Sequence, residues 1–242
     1  MVREFPGNCC PGPPCVCTTQ VSKKIEKQLK IEIDDSKCCC IPKCPCENEE
    51  LVRNGGFEMI SADPTQPFAD WRAVNALSNT IVSRVPENML PVAYEGIHSA
   101  WFITEPSPVV EQHSISLQQN VTVTPGCIYR LSFAENLLIK GNGMAAAIPI
   151  LTAKVIYIDN YGNAVDLIVV PILKFDQNRD PDRGYVYHEA TADVPVPCGV
   201  SELIVRFEYF ENSSIGSAWL LDSVSLRAVF PTSACCQCPK EC

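Results

Sequence analysis

The stretch Glu202-Leu203-Ile204-Val205-Arg206-Phe207-Glu208-Tyr209 shows the pattern on which the fold depends. Leu203, Val205, Phe207 and Tyr209 stand at every second position, while the charged Glu202, Arg206 and Glu208 face the other way, which is the period of a β-strand with one buried face. The same period recurs in residues 114–123, 127–133, 153–158 and 164–170. We therefore predict an all-β middle zone over residues 51–229, folded as a two-sheet antiparallel jelly-roll sandwich of about nine strands.

Composition limits the kinds of partner. The chain has 242 residues, a formal net charge of −9 and 46 % hydrophobic residues. An acidic globular protein lacks the basic surface that nucleic-acid binding needs, so no nucleic-acid partner is expected. The sequence contains no apolar run of eighteen residues, so no membrane-spanning helix is expected either.

The cysteines divide the chain into three zones. Of 15 cysteines, nine lie in residues 1–46 and four in the last eight residues. We predict a cysteine- and proline-rich connector arm over residues 1–50, the sandwich over 51–229 and a short cysteine-rich tail over 230–242. The arm opens with neither the basic nor the apolar region of a secretory signal peptide.

One segment of the arm has regular character. Leu29, Ile31 and Ile33 alternate with charged residues, which favours a strand with one apolar face. Because no hairpin partner lies nearby in the sequence, we expect this strand to dock on a distant sheet edge or on another molecule. The alternative is a short helix, in which Ile25, Leu29 and Ile33 stand four apart.

The cysteine spacing favours cross-linking between chains. Neighbouring residues of an extended chain face opposite ways, so a Cys-Cys doublet is suited to reach two different partners. An odd total also means that the cysteines cannot all pair within one chain. The candidates for intermolecular disulfides are Cys9, Cys10, Cys15, Cys17, Cys38, Cys39, Cys40, Cys44, Cys46, Cys198, Cys235, Cys236, Cys238 and Cys242. Cys127 has three interpretations: a buried thiol, a bridge within the sandwich, or an anchor for the arm.

A thiolate metal cluster is the competing interpretation of these cysteines. Cys-x-Cys units such as Cys15-Val16-Cys17 occur in proteins that bind soft metal ions. The paired Cys-x2-Cys units of zinc ribbons are missing from the sequence. The three histidines, His98, His113 and His188, belong to no zinc or nucleophile motif, and His188 beside Glu189 is interpreted as a surface pair. We do not expect an enzyme.

Three segments resemble the galactose-binding-like jelly rolls that include many carbohydrate-binding modules. They are residues 51–58 (LVRNGGFE), 123–133 (VTPGCIYRLSF) and 218–226 (AWLLDSVSL). The resemblance implies a structural calcium ion at Glu58 and Asp222, with hydrogen bonding of the strand ends as the alternative role of these carboxylates. No other cofactor is implied.

The resemblance also bears on sugar binding, which in this family uses exposed aromatic side chains. Trp71 and Trp219 match positions that usually fill the core, and Trp101 lies in a stretch that looks like a buried strand. Tyr185 and Tyr187 are the better candidates for an exposed aromatic surface. Fold analogy alone does not establish a function.

A second resemblance concerns overall design. Bacterial endospore appendage subunits have a β-sandwich preceded by a connector with an apolar residue and a Cys-Cys doublet, and Phe5, Cys9-Cys10 and Cys15 are similar to that pattern. This implies a location outside the cell or on the spore surface, reached by lysis of the mother cell.

The main hypothesis is therefore a structural subunit that polymerises head to tail into a disulfide-cross-linked fibre. The first alternative is a carbohydrate-binding surface module, anchored by its cysteine-rich ends and bound to a surface glycan or spore coat. The second is a thiolate metal-binding protein.

Overall fold

A computed structural model of the chain describes residues 16–17, 40–41, 46–77, 80–85, 93–139, 141, 149–173, 184–214 and 216–229. The chain forms two compact units, residues 1–45 and 46–242. In the first unit β1 (Val16–Cys17) pairs antiparallel with β2 (Cys40–Ile41), which places Cys17 opposite Cys40. The predicted strand with Leu29, Ile31 and Ile33, the other arm cysteines up to Cys44 and the tail cysteines lie outside the described residues.

The second unit is a sandwich of two five-stranded sheets in which every pairing is antiparallel. The strands are β3 (Arg72–Leu77), β4 (Thr80–Arg84), β5 (Ala100–Thr104), β6 (Glu111–Thr122), β7 (Ile128–Ile139), β8 (Pro149–Ile158), β9 (Ala164–Leu173), β10 (Val186–Thr191), β11 (Glu202–Ser213) and β12 (Ala218–Val229). Sheet I has the order β10-β7-β12-β5-β4, and sheet II has the order β3-β6-β11-β8-β9. This confirms the predicted all-β jelly-roll sandwich.

The core forms where the inward faces of the two sheets meet. Phe207 of β11 packs against Phe133 of β7, with ring centroids 5.2 Å apart, and against Trp71, at 6.2 Å. Trp71 and Trp219 are 3 % and 0 % exposed, which confirms that they are packing residues. Burying such large apolar side chains is the main stabilising contribution to a sandwich of this size.

A buried polar network closes one end of the core. The carboxylate of Glu211, which is 3 % exposed, accepts hydrogen bonds from the Tyr209 hydroxyl at 2.7 Å and from the Ser217 hydroxyl at 3.2 Å. The Ser217 backbone N–H donates to the same carboxylate. Burial, with the nearby Glu211 carboxylate, raises the pKa of Tyr209 well above its usual value. The tyrosine therefore stays a neutral donor to the buried Glu211 side chain.

The outer face of sheet II is an ordinary solvated surface. Lys154 pairs with Glu208 at 2.8 Å, and Arg206 Nε donates to Gln118 at 2.9 Å. These charged and polar groups thus partner one another on this face, which also carries the exposed Val169. No helix in the described part of the chain is long and apolar enough to cross a membrane.

One disulfide fixes the start of the sandwich. Cys46 is bonded to Cys127 across 81 residues of sequence, and both side chains are buried. This corrects the assignment of Cys46 as an intermolecular cysteine, and because both cysteines belong to the second unit it agrees with the interpretation of Cys127 as a bridge within the sandwich. The second unit accordingly begins at Cys46, before the predicted boundary at Leu51. Cys198 is half-buried in the turn before β11.

Candidate functional site: a tyrosine surface over Asp222

The segment Asn54-Gly55-Gly56-Phe57-Glu58 is shaped to lie against β12. Asn54 has a left-handed backbone (φ 50°), and its side chain bonds both the N–H and the C=O of Met59. A Cβ at Gly55 would lie 2.0 Å from the carbonyl oxygen of Val224, so only glycine permits this approach. Phe57, fully buried, also has a positive φ of 57°. Packing therefore holds a strained turn that directs Glu58 outward.

Glu58 anchors the loop that precedes β5. Its Oε1 atom accepts hydrogen bonds from the backbone N–H of Ile97 at 2.6 Å and of His98 at 2.9 Å. Although partial burial raises its pKa, these two hydrogen bonds, with nearby His98 and Arg84, lower it overall. Gly96 reaches this position with φ 75°, and a Cβ there would lie 2.2 Å from Oε1.

Asp222 anchors the same loop from the other side. Asp222 lies on β12, where the register of pairing with β7 shifts between Asp222 and Ser225, and its side chain is fully buried. Its Oδ2 atom accepts from the N–H of Tyr94 at 2.7 Å and of Glu95 at 3.1 Å, and Oδ1 accepts from Ser223 N–H at 2.6 Å. Burial raises the pKa of Asp222 to about 6, although these hydrogen bonds oppose the rise.

The calcium ion implied for Glu58 and Asp222 finds no ready-made site here. Glu58 Oε1 and both oxygens of Asp222 already accept backbone N–H groups, and no group of three or more His, Cys, Asp or Glu side chains in the described residues is arranged to hold a metal. The geometry fits the alternative role as hydrogen-bond acceptors, at a loop rather than at strand ends. The calcium ion stays a prediction.

The anchored loop presents Tyr94 to a group of tyrosines. The rings of Tyr94 and Tyr185 lie 5.5 Å apart, and the Tyr185 hydroxyl is 2.7 Å from Ser99 Oγ, which in turn donates to Asp222. Tyr187 lies opposite Ala134, which lies opposite Asp222, so it shares the outer face of sheet I. Tyr94 and Tyr187 are 49 % and 52 % exposed. We call Tyr94, Tyr185 and Tyr187 the tyrosine surface.

The same outer face carries two buried polar atoms without a partner. Trp101, Leu220 and Asn136 lie in one register row across β5, β12 and β7. Neither Trp101 Nε1 nor Asn136 Oδ1 makes a hydrogen bond. Leaving a buried donor and a buried acceptor unsatisfied is costly, so these two atoms call for an explanation.

Two of the aromatic predictions need adjustment. Trp101 is in a strand, as expected, but it faces outward and is half-buried because β5 places Ala100 and Phe102 inward instead. Tyr187 is exposed, as expected, whereas Tyr185 is half-buried under Tyr94.

The interpretation of His188 as part of a surface pair with Glu189 is wrong. His188 Nε2 lies 2.9 Å from Oε1 of the fully buried Glu135, and the ring stacks on Phe133 at 5.0 Å. Glu189 instead pairs with Arg130 at 3.1 Å. Successive residues of β10 face opposite sides of the sheet, which separates His188 from Glu189.

Sequence reasoning did not find Tyr94 or Asn136. Tyr94 lies in a loop without periodicity, and only the hydrogen bonds to Asp222 bring it next to Tyr185. Asn136 lies within a strand, and the sequence does not show that its buried Oδ1 atom lacks a hydrogen-bond partner.

Comparison with known proteins gives a fold likeness. No protein-family model matches the chain, and no curated protein matches it. Among solved structures, TmCBM61 in complex with β-1,4-galactotriose is 18 % identical, with a TM-score of 0.47, covering 75 % of this chain and 99 % of that one. The CBM22-1 xylan-binding domain of Paenibacillus barcinonensis Xyn10C is 17 % identical, with a TM-score of 0.44, covering 77 % and 98 %.

A third structure, described as "CBM4 structure and function", is 15 % identical with a TM-score of 0.42, covering 74 % of this chain and 99 % of that one. These neighbours are carbohydrate-binding modules with a β-sandwich fold. At such identities and TM-scores the likeness concerns the fold and carries no argument about function. The resemblance to spore appendage subunits receives no support from these comparisons. The chain is similar in fold to carbohydrate-binding modules.

Proposed function

We propose that the protein is a non-catalytic glycan-binding module, and that the outer face of sheet I is its binding surface. The observation that carries the proposal is the row Trp101, Leu220 and Asn136, with its unpaired donor and unpaired acceptor, on the same face as the tyrosine surface. Sugars combine apolar ring faces with hydroxyl groups. A face that offers both aromatic rings and unsatisfied polar atoms is complementary to that chemistry.

The contrast between the two outer faces supports this choice. On sheet II the polar groups are paired with one another, as in Lys154 with Glu208. On sheet I, Tyr94 and Tyr187 leave about half of their surface open to solvent. Burial raises the pKa of Tyr185, so its hydroxyl is neutral at physiological pH and remains able to hydrogen-bond.

The test is affinity electrophoresis in gels that contain galactan or xylan, the classes of glycan named for two of the structures above. We expect one of these polymers to retard the full-length protein, and Tyr187→Ala to weaken retardation by about tenfold, since an aromatic platform is worth on the order of 1–2 kcal/mol. Tyr161→Ala is the matched control, because Tyr161 is 90 % exposed at the β8–β9 turn, away from this face.

Equal effects of the Tyr187 and Tyr161 substitutions would refute the proposed surface. Retardation by neither polymer, with folding intact by circular dichroism, would refute binding to these two glycans and move the second candidate function into first place.

The second candidate is the cross-linked structural subunit. With Cys46 and Cys127 bonded to each other, thirteen cysteines remain, which is again an odd number. They cannot all pair within one chain, and all except Cys198 lie in the arm or the tail. A non-reducing denaturing gel tests this candidate: a ladder of multimers that collapses on reduction supports it, and a single monomer band contradicts it.

A further inference from the structure

The two short strands of the first unit place two cysteines in register. β1 runs antiparallel to β2, with Val16 opposite Ile41 and Cys17 opposite Cys40. Residues that stand directly opposite in an antiparallel ladder share a face of the ladder and are close neighbours across the strands. The pairing therefore singles out Cys40 as the partner of Cys17 among the many cysteines of the arm.

The backbone spacing of such a pair suits a disulfide. Opposite residues of an antiparallel pair have Cα atoms about 4.5 Å apart at a non-hydrogen-bonded position and about 5.5 Å apart at a hydrogen-bonded one. Disulfides join residues whose Cα atoms are about 4.4–6.8 Å apart. Both kinds of position fall inside that range, so a bond between Cys17 and Cys40 requires no movement of the backbone.

A ladder of this length also needs a further constraint. An isolated pair of strands is at best marginally stable in water, and β1 and β2 have two residues each. A covalent bond between opposite residues restricts the unpaired arm and so favours the paired form. The same bond closes the stretch of chain between the two strands, which contains the segment Leu29–Asp34, into a loop.

We propose that Cys17 and Cys40 of the same molecule form a disulfide. The proposal goes beyond glycan binding and does not depend on it. The sequence alone favours bonds between molecules for both cysteines, whereas their register favours a bond within one. With this bond and the Cys46–Cys127 bond both formed, eleven of the 15 cysteines are left for other partners, still an odd number. The second candidate function then relies on a smaller set of thiols.

The bond forms by exchange with a small disulfide such as glutathione disulfide. The thiolate of one cysteine attacks a sulfur of the small disulfide, which gives a mixed disulfide and releases one glutathione thiolate. The thiolate of the other cysteine then attacks the protein sulfur of the mixed disulfide and releases the second glutathione. Two protein thiols are oxidised, the small disulfide is reduced to two thiols, and these thiols take up the two protons.

The test uses the full-length protein with every cysteine other than Cys17, Cys40, Cys46 and Cys127 replaced by serine. The protein is equilibrated in a glutathione redox buffer, the remaining thiols are alkylated, and the intact mass gives the oxidised fraction. We expect Cys17 and Cys40 to be joined in a species that runs as a monomer on a non-reducing gel. Their effective concentration should exceed the roughly millimolar value of thiols joined by a flexible linker.

A one-residue swap is the matched control, because it keeps the composition and changes the loop length by one residue while it breaks the register. In Val16→Cys with Cys17→Val, the thiol moves to the position opposite Ile41 and thus to the other face of the ladder. A bond from there to Cys40 requires the backbone to move, so the effective concentration should fall at least about tenfold. Adding Cys40→Ile with Ile41→Cys places the two thiols opposite each other again and should restore the bond.

Two results overturn the proposal. If the single swap forms the bond as readily as the unswapped protein, the register of β1 and β2 does not select the partner. If the bond appears only in dimers, both cysteines return to cross-links between molecules. The melting temperature of the sandwich should be the same in all of these variants, which shows that the swaps act on the arm alone.

Discussion

The Oδ2 atom of Asp222 accepts a hydrogen bond from the backbone N–H of Tyr94 at 2.7 Å, across 128 residues of sequence. The ring of Tyr94 contacts Tyr185, whose hydroxyl meets Ser99, and Ser99 donates to Asp222. One buried carboxylate on β12 thus positions two of the three residues of the tyrosine surface. Changes at Asp222 should therefore alter both stability and glycan binding.

The protonation of Asp222 should make stability depend on pH. Its pKa is about 6 in the folded protein, above the ordinary value of 3.8, because burial disfavours the charge. The folded state therefore holds a proton that the unfolded state releases, so this group adds stability as pH falls from about 7 towards 4 and adds none above that window. Asp222→Asn should remove this gain, measured as melting temperature against pH.

Asp159→Asn is the control for this measurement. Hydrogen bonds from Asn163 lower the pKa of Asp159 below its ordinary value, so its contribution is lost only at more acidic pH. Between pH 5 and 7.5 this variant should keep the pH dependence of the unaltered protein. A pH profile that is the same in all three proteins would contradict the role given to Asp222.

The loop at Gly96 should be sensitive to a single methyl group. Gly96→Ala forces a Cβ to within 2.2 Å of Glu58 Oε1 in a backbone with φ 75°. The clash should detach the loop from Glu58 and reduce both melting temperature and glycan retardation. Gly162→Ala also has a positive φ, but with nothing within 4 Å, so it should lose only about 1–2 kcal/mol and leave retardation unchanged.

The Cys46–Cys127 disulfide should contribute strongly to stability. In the chain-entropy account, closing a loop of this length lowers the entropy of the unfolded chain by an amount equivalent to about 4 kcal/mol. The paired substitution Cys46→Ser with Cys127→Ser should lower the free energy of unfolding in urea by that order. Cys17→Ser with Cys40→Ser, in the arm, serves as the control and should leave the unfolding of the sandwich unchanged.

Replacing the buried Glu211 carboxylate should lower the free energy of unfolding more than replacing an exposed carboxylate does. Glu211→Ala removes the carboxylate that accepts from the Tyr209 hydroxyl and from Ser217, leaving Tyr209 only the Ser217 carbonyl at 3.2 Å, which should cost about 2–5 kcal/mol of unfolding free energy. Glu202→Ala, on the exposed start of the same strand, should cost less than about 1 kcal/mol. Similar losses in the two variants would contradict the assigned network.

Calcium at Glu58 and Asp222 is tested by comparing melting temperature in calcium chloride with that in a chelator. Since the carboxylate oxygens already accept backbone N–H groups, we expect little difference. A rise of several degrees with calcium that disappears in Asp222→Asn would establish the ion and require the loop at residues 94–98 to rearrange.

Sequence alone determined the fold class, because a sandwich depends on local alternation. In β11, for example, the buried and exposed residues follow the period that the sequence predicts. The turn at Asp159–Asn163 is likewise a local feature, since the Asp159 side chain accepts hydrogen bonds from the backbone of its own turn. Such features depend on residues close together in the chain.

Only the tertiary structure decided which distant residues meet. Cys46 was assigned to cross-links between molecules because nothing in its surroundings points to Cys127, which lies 81 residues away. Trp101 faces outward because β5 lies between β12 and β4 in a register that the sequence does not specify. Likewise, the antiparallel pairing of β10 with β7 brings His188 next to Glu135, so that His188 Nε2 lies 2.9 Å from Glu135 Oε1. Alternation gives a strand two faces, but which face turns inward and which strand lies alongside depend on long-range pairing, whose free energy is shared over the whole core.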